Sequence, residues 1–248
     1  MSYVLTFDIE LTGPNFVANS MVNIGAIFTN PDGVEEDKLD LIINMIPGTD
    51  WDQQTLDSFW LKKENTTIKE LYNKIKNGQG LPYQAAMEKL EEFLIRCARK
   101  SICAPQQSYA PEWCSLTILS DRAYIDIAWI NYYMNLCGKK GILEYLNSLI
   151  VAPRGFGKSV RVLDGNSYAQ GLAVKTANEI TSFEQKNSKF WNAEESMLIH
   201  WNVNTRSQTP HTHCALDDAK RTSDHHNFIT ATINRKNNKV PIKQIHLN

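Results

Sequence analysis

The sequence predicts an α/β fold in which a mixed sheet, opening with three antiparallel strands, is flanked by helices. Two observations carry this. Residues 3–10, 20–29 and 39–46 are rich in β-branched, aromatic and apolar side chains, and they are separated only by short breaks at Gly13-Pro14 and Asn30-Pro31-Asp32-Gly33. Such spacing suits hairpin-linked strands rather than crossovers. Beyond them, residues 82–100 place Ala86, Leu90, Phe93, Leu94 and Cys97 at helical intervals, with Pro82 near the start.

The remaining elements follow in order. Residues 51–76 read as an irregular helix, 115–120 as a short strand and 122–136 as an apolar-periodic helix ending before Gly138. Residues 159–164 read as another strand, 167–175 as a short helix, and 215–233 as the last good helix. The polar stretch 178–210, with Trp191 and Trp201 embedded in it, is expected to be a long loop or insertion. No repeat or composition shift divides the chain, so one domain over residues 1–234 is expected, followed by a polar tail at 235–248.

Composition narrows the function. The 248 residues are 42% apolar, enough for a full core, and 26 basic against 27 acidic residues leave a net charge of -1. That excludes a basic protein that coats long duplexes by charge. Five cysteines, without a CxxC pair, argue against a disulfide framework or a structural zinc site. No apolar run reaches membrane-span length, and the start lacks the basic and apolar parts of a signal peptide. An intracellular, soluble chain without membrane partners is expected.

Chemistry enters at Phe7-Asp8-Ile9-Glu10. Strand alternation points Tyr3, Leu5, Phe7 and Ile9 one way and both acids the other. Two carboxylates sharing a face beside a core either reach solvent or hold a hard cation. A second acidic segment, His213-Cys214-Ala215-Leu216-Asp217-Asp218-Ala219, puts a histidine just before a helix and Asp218 in its first turns. On one continuous helix these two side chains would diverge by about 140°. They converge only if His213 lies in the preceding loop. A third segment, residues 120–127, brings a strand end to a helix and supplies Asp121 and Asp126.

These segments resemble the DEDDh exonucleases of the ribonuclease H-like superfamily. DIELTG at 8–13 is similar to the family's first motif, Asn23-Ile24-Gly25-Ala26-Ile27 to the strand that follows it, and HCALDDA at 213–219 to its third motif. Asp126, after Tyr124-Ile125, falls where the second motif has its Asp. TLDSFWLKK at 55–63 resembles a segment of the ribonuclease T-like branch that includes phage exonuclease A. Leu11 and Ile125 depart from the usual Thr and Phe; neither change removes an acid.

The resemblance implies a ribonuclease H-like mixed sheet, antiparallel in its first three strands and then parallel. It implies a 3′-to-5′ exonuclease acting on single-stranded RNA or DNA and releasing nucleoside 5′-monophosphates. Asp8, Glu10, Asp126 and Asp218 would hold two divalent cations, Mg²⁺ or Mn²⁺, with His213 as general base. The alternative is a catalytically silent nucleic-acid-binding or scaffold protein of the same fold. Leu11, Thr12 and Trp60 are candidate contacts to the terminal nucleotide, Trp60 by stacking against a base, with core packing as the competing reading of its indole. Arg154 and Lys158 are candidate phosphate contacts in a basic loop. Residues 152–159 also satisfy a relaxed P-loop pattern, but the strand expected right after them leaves no helix to face phosphates, so triphosphate hydrolysis is rejected. RNA or DNA preference and oligomeric state stay open, a homodimer included; the resemblance spans viral and phage enzymes as well as cellular ones.

Overall fold

In a computed structural model, residues 3–62, 66–103, 115–150, 159–164 and 214–237 are described. Strands β1 (Tyr3–Leu11), β2 (Met21–Thr29) and β3 (Glu35–Ile42) form the expected antiparallel meander. β4 (Ser115–Ser120) then pairs parallel to β1, and β5 (Ser159–Asp164) parallel to β4. The sheet order is β3-β2-β1-β4-β5, which makes β1 the central strand.

Burial explains the strand choices. All nine residues of β2 are buried, as expected for a strand covered on both faces. β3 lies four residues earlier than its sequence-predicted span because it is an edge strand. Its Glu35, Glu36, Asp37, Lys38 and Asp40 suit a solvent-facing, unpaired border, although so many charges do not read as a strand in sequence. Ile43 contributes only an isolated bridge, to Leu81.

Helices cover both faces. α3 (Tyr83–Cys103), α4 (Ala123–Leu136) and α5 (Ile142–Leu149) pack on one side, where Leu5, Phe7 and Ile9 meet Leu90, Phe93, Ile130, Met134 and Leu146 in a single core. α5 is a helix that the sequence reading missed. Its buried Ile142, Leu146 and Ile150 recur every fourth residue, but over a span too short to stand out. On the other face, α6 (Ala215–Asn237) lies across β1 and β2 through buried Ala215, Ala219, Thr222 and Ser223, and it runs beyond its expected end into residues 235–237.

The irregular helix resolves into three pieces: α1 (Gln53–Thr55), a π-helical turn (Leu56–Trp60) and α2 (Thr66–Lys76). Asp52 starts the first of these, its carboxylate accepting the Thr55 N–H at 2.8 Å. β5 begins directly after Lys158, where a P-loop would require a helix, in agreement with the rejection of that motif. No described helix is long and apolar enough to cross a membrane. Cys97, Cys137 and Cys214 form no disulfide.

Candidate active site

The site grows from the uneven lengths of the central strands. β1 pairs with β4 only from Tyr3 to Thr6, so Asp8 and Glu10 project past the carboxyl end of β4. In open α/β sheets that end is where ligands bind. Opposite them on β2, Gly25 pairs with Asp8 and Asn23 with Glu10.

Gly25 decides how near α6 can come. A Cβ there would lie 2.0 Å from the Ala215 carbonyl carbon and from the Leu216 nitrogen, so only glycine lets the helix start rest on the sheet. Asn23 fixes the same point, its side-chain oxygen accepting the Ala215 N–H at 3.0 Å. One turn on, Asp218 meets the strand acids. Ligand oxygens of Asp8, Glu10 and Asp218 all lie within 4.8 Å of one another.

Asp126 arrives by a separate route, from the first turn of α4, and is 5% exposed. The Ser120 hydroxyl, at the last position of β4, donates a short hydrogen bond to its Oδ2, and the Arg122 N–H donates to that hydroxyl at 3.1 Å. Asp126 is not part of the group of three, yet its charge acts on both Asp8 and Glu10.

The electrostatics follow from crowding. Burial, then the carboxylates of Asp126, Asp218 and Asp121, push Asp8 well above the usual range, with Arg122 pulling it back. Burial, then Asp8, Asp218 and Asp126, do the same to Glu10, again opposed by Arg122. Asp218 is pushed up to about 7, chiefly by burial, with Arg221 opposing and Asp121 and Asp217 adding to the rise. Like charges at this spacing resist joint ionisation, and an all-oxygen donor set is what Mg²⁺ or Mn²⁺ takes. The residues therefore fit a hard divalent cation.

The structure gives two of the sequence candidates places in the protein's own packing. Trp60 is fully buried, as core packing requires. Its indole N–H donates to the Leu11 carbonyl at 3.0 Å, and its ring packs edge-on to Trp51 and Phe59. The π turn aims it inward, leaving its neighbour Phe59 half-buried. Thr12 is buried as well. Its hydroxyl donates to the Asp50 carbonyl at 3.0 Å and accepts the Ser20 N–H at 2.8 Å, so it ties the loop after β1 to the chain before α1. Leu11 remains half-buried at an irregularity of β1 beside the acids. His213, Arg154 and Lys158 lie outside the described residues, as do Trp191, Trp201 and residues 167–175.

Sequence reasoning missed Ser120 and the structural part of Asn23. For Asn23 the available signal was a polar residue inside an otherwise apolar strand, because a buried amide must find partners.

Parallel strands β1, β4 and β5, the antiparallel β2 and β3, and helices on both faces make an α/β mixed sheet of ribonuclease H-like fold. E. coli exonuclease I structures share this fold. E. coli exonuclease I in complex with a dT13 oligonucleotide matches 96% of this chain with a TM-score of 0.59 at 9% identity, the match covering 43% of that chain. The zinc-bound form of the E. coli exonuclease I complex with single-stranded DNA matches 96% at a TM-score of 0.58 and 8% identity, over 42% of its chain. The present chain thus spans less than half the length of these structures. The nuclease domain of 3′hExo, a DEDDh family member, bound to rAMP, matches 93% of this chain and 92% of its own, at a TM-score of 0.49 and 13% identity. By sequence, no protein-family model and no curated protein matches.

Proposed function

We propose that this chain is a metal-dependent 3′-to-5′ exonuclease of the ribonuclease T-like branch, which includes phage exonuclease A, and that it removes nucleoside 5′-monophosphates from single-stranded RNA or DNA. The observation that carries the reading is the convergence of Asp8, Glu10 and Asp218, from a strand and a helix far apart in sequence, at the carboxyl edge of the sheet.

Asp8, Glu10, Asp126 and Asp218 would hold two Mg²⁺ or Mn²⁺ ions. Two such ions, when bound, stabilise charge on the attacking and leaving oxygens of an in-line phosphoryl displacement. The chain's own residues do the rest. Ser120 orients Asp126, so that this carboxylate presents a fixed oxygen. Leu11, at the end of β1, packs the terminal nucleotide. His213, two positions before α6, accepts the proton from the attacking water; an imidazole with a pKa of roughly 6.5 can do so near neutral pH. Arg154 and Lys158 touch phosphates farther along the strand. Asp121 and Asp217, whose charges reach Asp218, keep the rim acidic, so that a polyanion is repelled until the cations are in place.

The test is digestion of matched 5′-labelled RNA and DNA strands with Mn²⁺. The expected product is a ladder shortened stepwise from the 3′ end, abolished by chelator and by a blocked 3′ end. Replacing His213 by Ala should lower the rate by about 10²- to 10⁴-fold. Internal cuts, undiminished activity in chelator, or strand binding without cleavage would each overturn the proposal. The last outcome would favour a silent binding module.

A further inference from the structure

Helix α6 has an unusual anchor. The first N–H groups of a helix have no partner within it, and a side chain just before the helix normally supplies one. Here the Ala215 N–H is taken by Asn23, a residue 192 positions away in β2. Asn23 is 1% exposed between apolar Val22 and Ile24, a costly place for an amide unless every polar atom is satisfied.

Its amide is fully committed. Nδ2 donates to the Leu41 carbonyl at 2.9 Å and to Asp40 Oδ1 at 3.1 Å, both on β3. With both donors directed at β3, the oxygen must face Ala215. Asn23 also stands opposite Glu10 in register, and Gly25, two residues on, stands opposite Asp8 and receives the helix backbone. One side chain therefore links the strand that flanks both β1 acids to the start of the helix that carries the third, a single turn away.

We propose that Asn23 is a positioning residue that sets the Asp218 carboxylate against Asp8 and Glu10, and so determines how well the three hold a cation. Its catalytic consequence rests on the exonuclease reading, but its effect on cation binding does not. If Asn23 served stability alone, its loss would lower the melting temperature and leave the folded protein's affinity for cations as it was.

The experiment compares the wild-type chain with Asn23→Ala, Asn23→Ser and Asn44→Ala. In the Ser variant the hydroxyl oxygen takes the place of Asn23 Cγ, one bond short of Ala215, while a polar atom stays in the pocket; it serves should Asn23→Ala fail to fold. Asn44 is the control. It makes a similar side-chain-to-backbone bond, accepting the Gly80 N–H at 2.8 Å, and among the described residues makes no bond to α6. Mn²⁺ binding is measured by calorimetry, and protection of the first amides of α6 by hydrogen exchange, both well below the melting transition.

Either Asn23 variant should bind Mn²⁺ at least tenfold more weakly and exchange the amides of residues 215–218 at least tenfold faster. On a 5′-labelled strand, kcat should fall at least tenfold while KM changes less than twofold. Asn44→Ala should melt earlier yet keep wild-type Mn²⁺ affinity. Mn²⁺ affinity within twofold of wild type in either folded Asn23 variant would overturn the proposal. A wild-type chain that cuts no strand would overturn the exonuclease reading instead, leaving calorimetry and exchange to decide on Asn23.

Discussion

Asp218→Asn should make the metal-free protein more stable at pH 8 while abolishing its activity. In the folded chain this carboxyl is pushed from an ordinary 3.8 up to about 7 by burial, with Asp121 and Asp217 adding to the rise against the pull of Arg221. Such a group binds its proton more tightly folded than unfolded, so it costs stability wherever the unfolded chain has ionised it. The cost is absent below pH 4, grows between about pH 4 and 7, and is complete above 7. At 1.36 kcal/mol per pKa unit the shift sets a ceiling of about 4 kcal/mol. Because the side chain is only half-buried, solvent screening reduces this to about 1–2 kcal/mol. For a chain of this size, that corresponds to a rise in Tm of about 2–8 °C. Thermal melts in chelator, at pH 8 and again at pH 4, provide the assay, and the gain should vanish at the lower pH. With Mn²⁺ at a hundred times its Kd the order should reverse, since binding adds about 2.7 kcal/mol to the wild type alone. A variant no more stable than wild type at pH 8, or equally favoured at both pH values, would refute the reasoning.

Gly25→Ala places a methyl group about 1.4 Å inside the 3.4 Å at which ordinary contact with Ala215 and Leu216 begins, so α6 must retreat. Overpacking should cost about 1–3 kcal/mol, and a displacement of about 1 Å at Asp218 should lower kcat by about 10²-fold, checked by urea unfolding and strand digestion. Trp60→Phe removes the hydrogen bond to the Leu11 carbonyl and should lower stability by about 1–3 kcal/mol in the same unfolding assay. Its KM for a single strand should stay within twofold; a large rise in KM with stability unchanged would restore Trp60 to the substrate surface.

What the sequence disclosed depended on whether the cause was local. The meander was legible because hairpin-linked strands carry their own breaks, and the pairing of Asp8 with Glu10 followed from strand alternation alone. β3 was misplaced because its charges suit an edge, and being an edge is a property of the assembled sheet. The packing roles of Trp60 and Thr12 are hidden in the sequence because both lie within or beside motif-like segments. A π turn, which no periodicity announces, turned Trp60 inward, and hydrogen bonds to residues 8 and 38 positions away consumed the Thr12 hydroxyl. Ser120 escaped notice because its partner stands across a strand-to-helix corner.

Thr12 and Trp60 bear on the chemistry through the loop they immobilise. Thr12 joins Ser20 and Asp50 through its side chain and accepts the Asp52 N–H at its own carbonyl, 2.9 Å away. Gly13 leaves no room for a side chain there, since a Cβ would sit 2.5 Å from Asn19 Oδ1 and from Asp52 Cβ. Trp60 then holds the Leu11 carbonyl from the opposite side. Glu10 immediately precedes Leu11, so the backbone that orients its carboxylate is held by pairing to β2 and, one residue on, by these bonds. An acid held in a crowd of like charges needs such a frame, because mutual repulsion would otherwise rotate it toward solvent and disperse the cation site. The residues after the acids in the first motif therefore act on the acids themselves, and substitutions at Thr12 should lower cation affinity before they alter affinity for the strand.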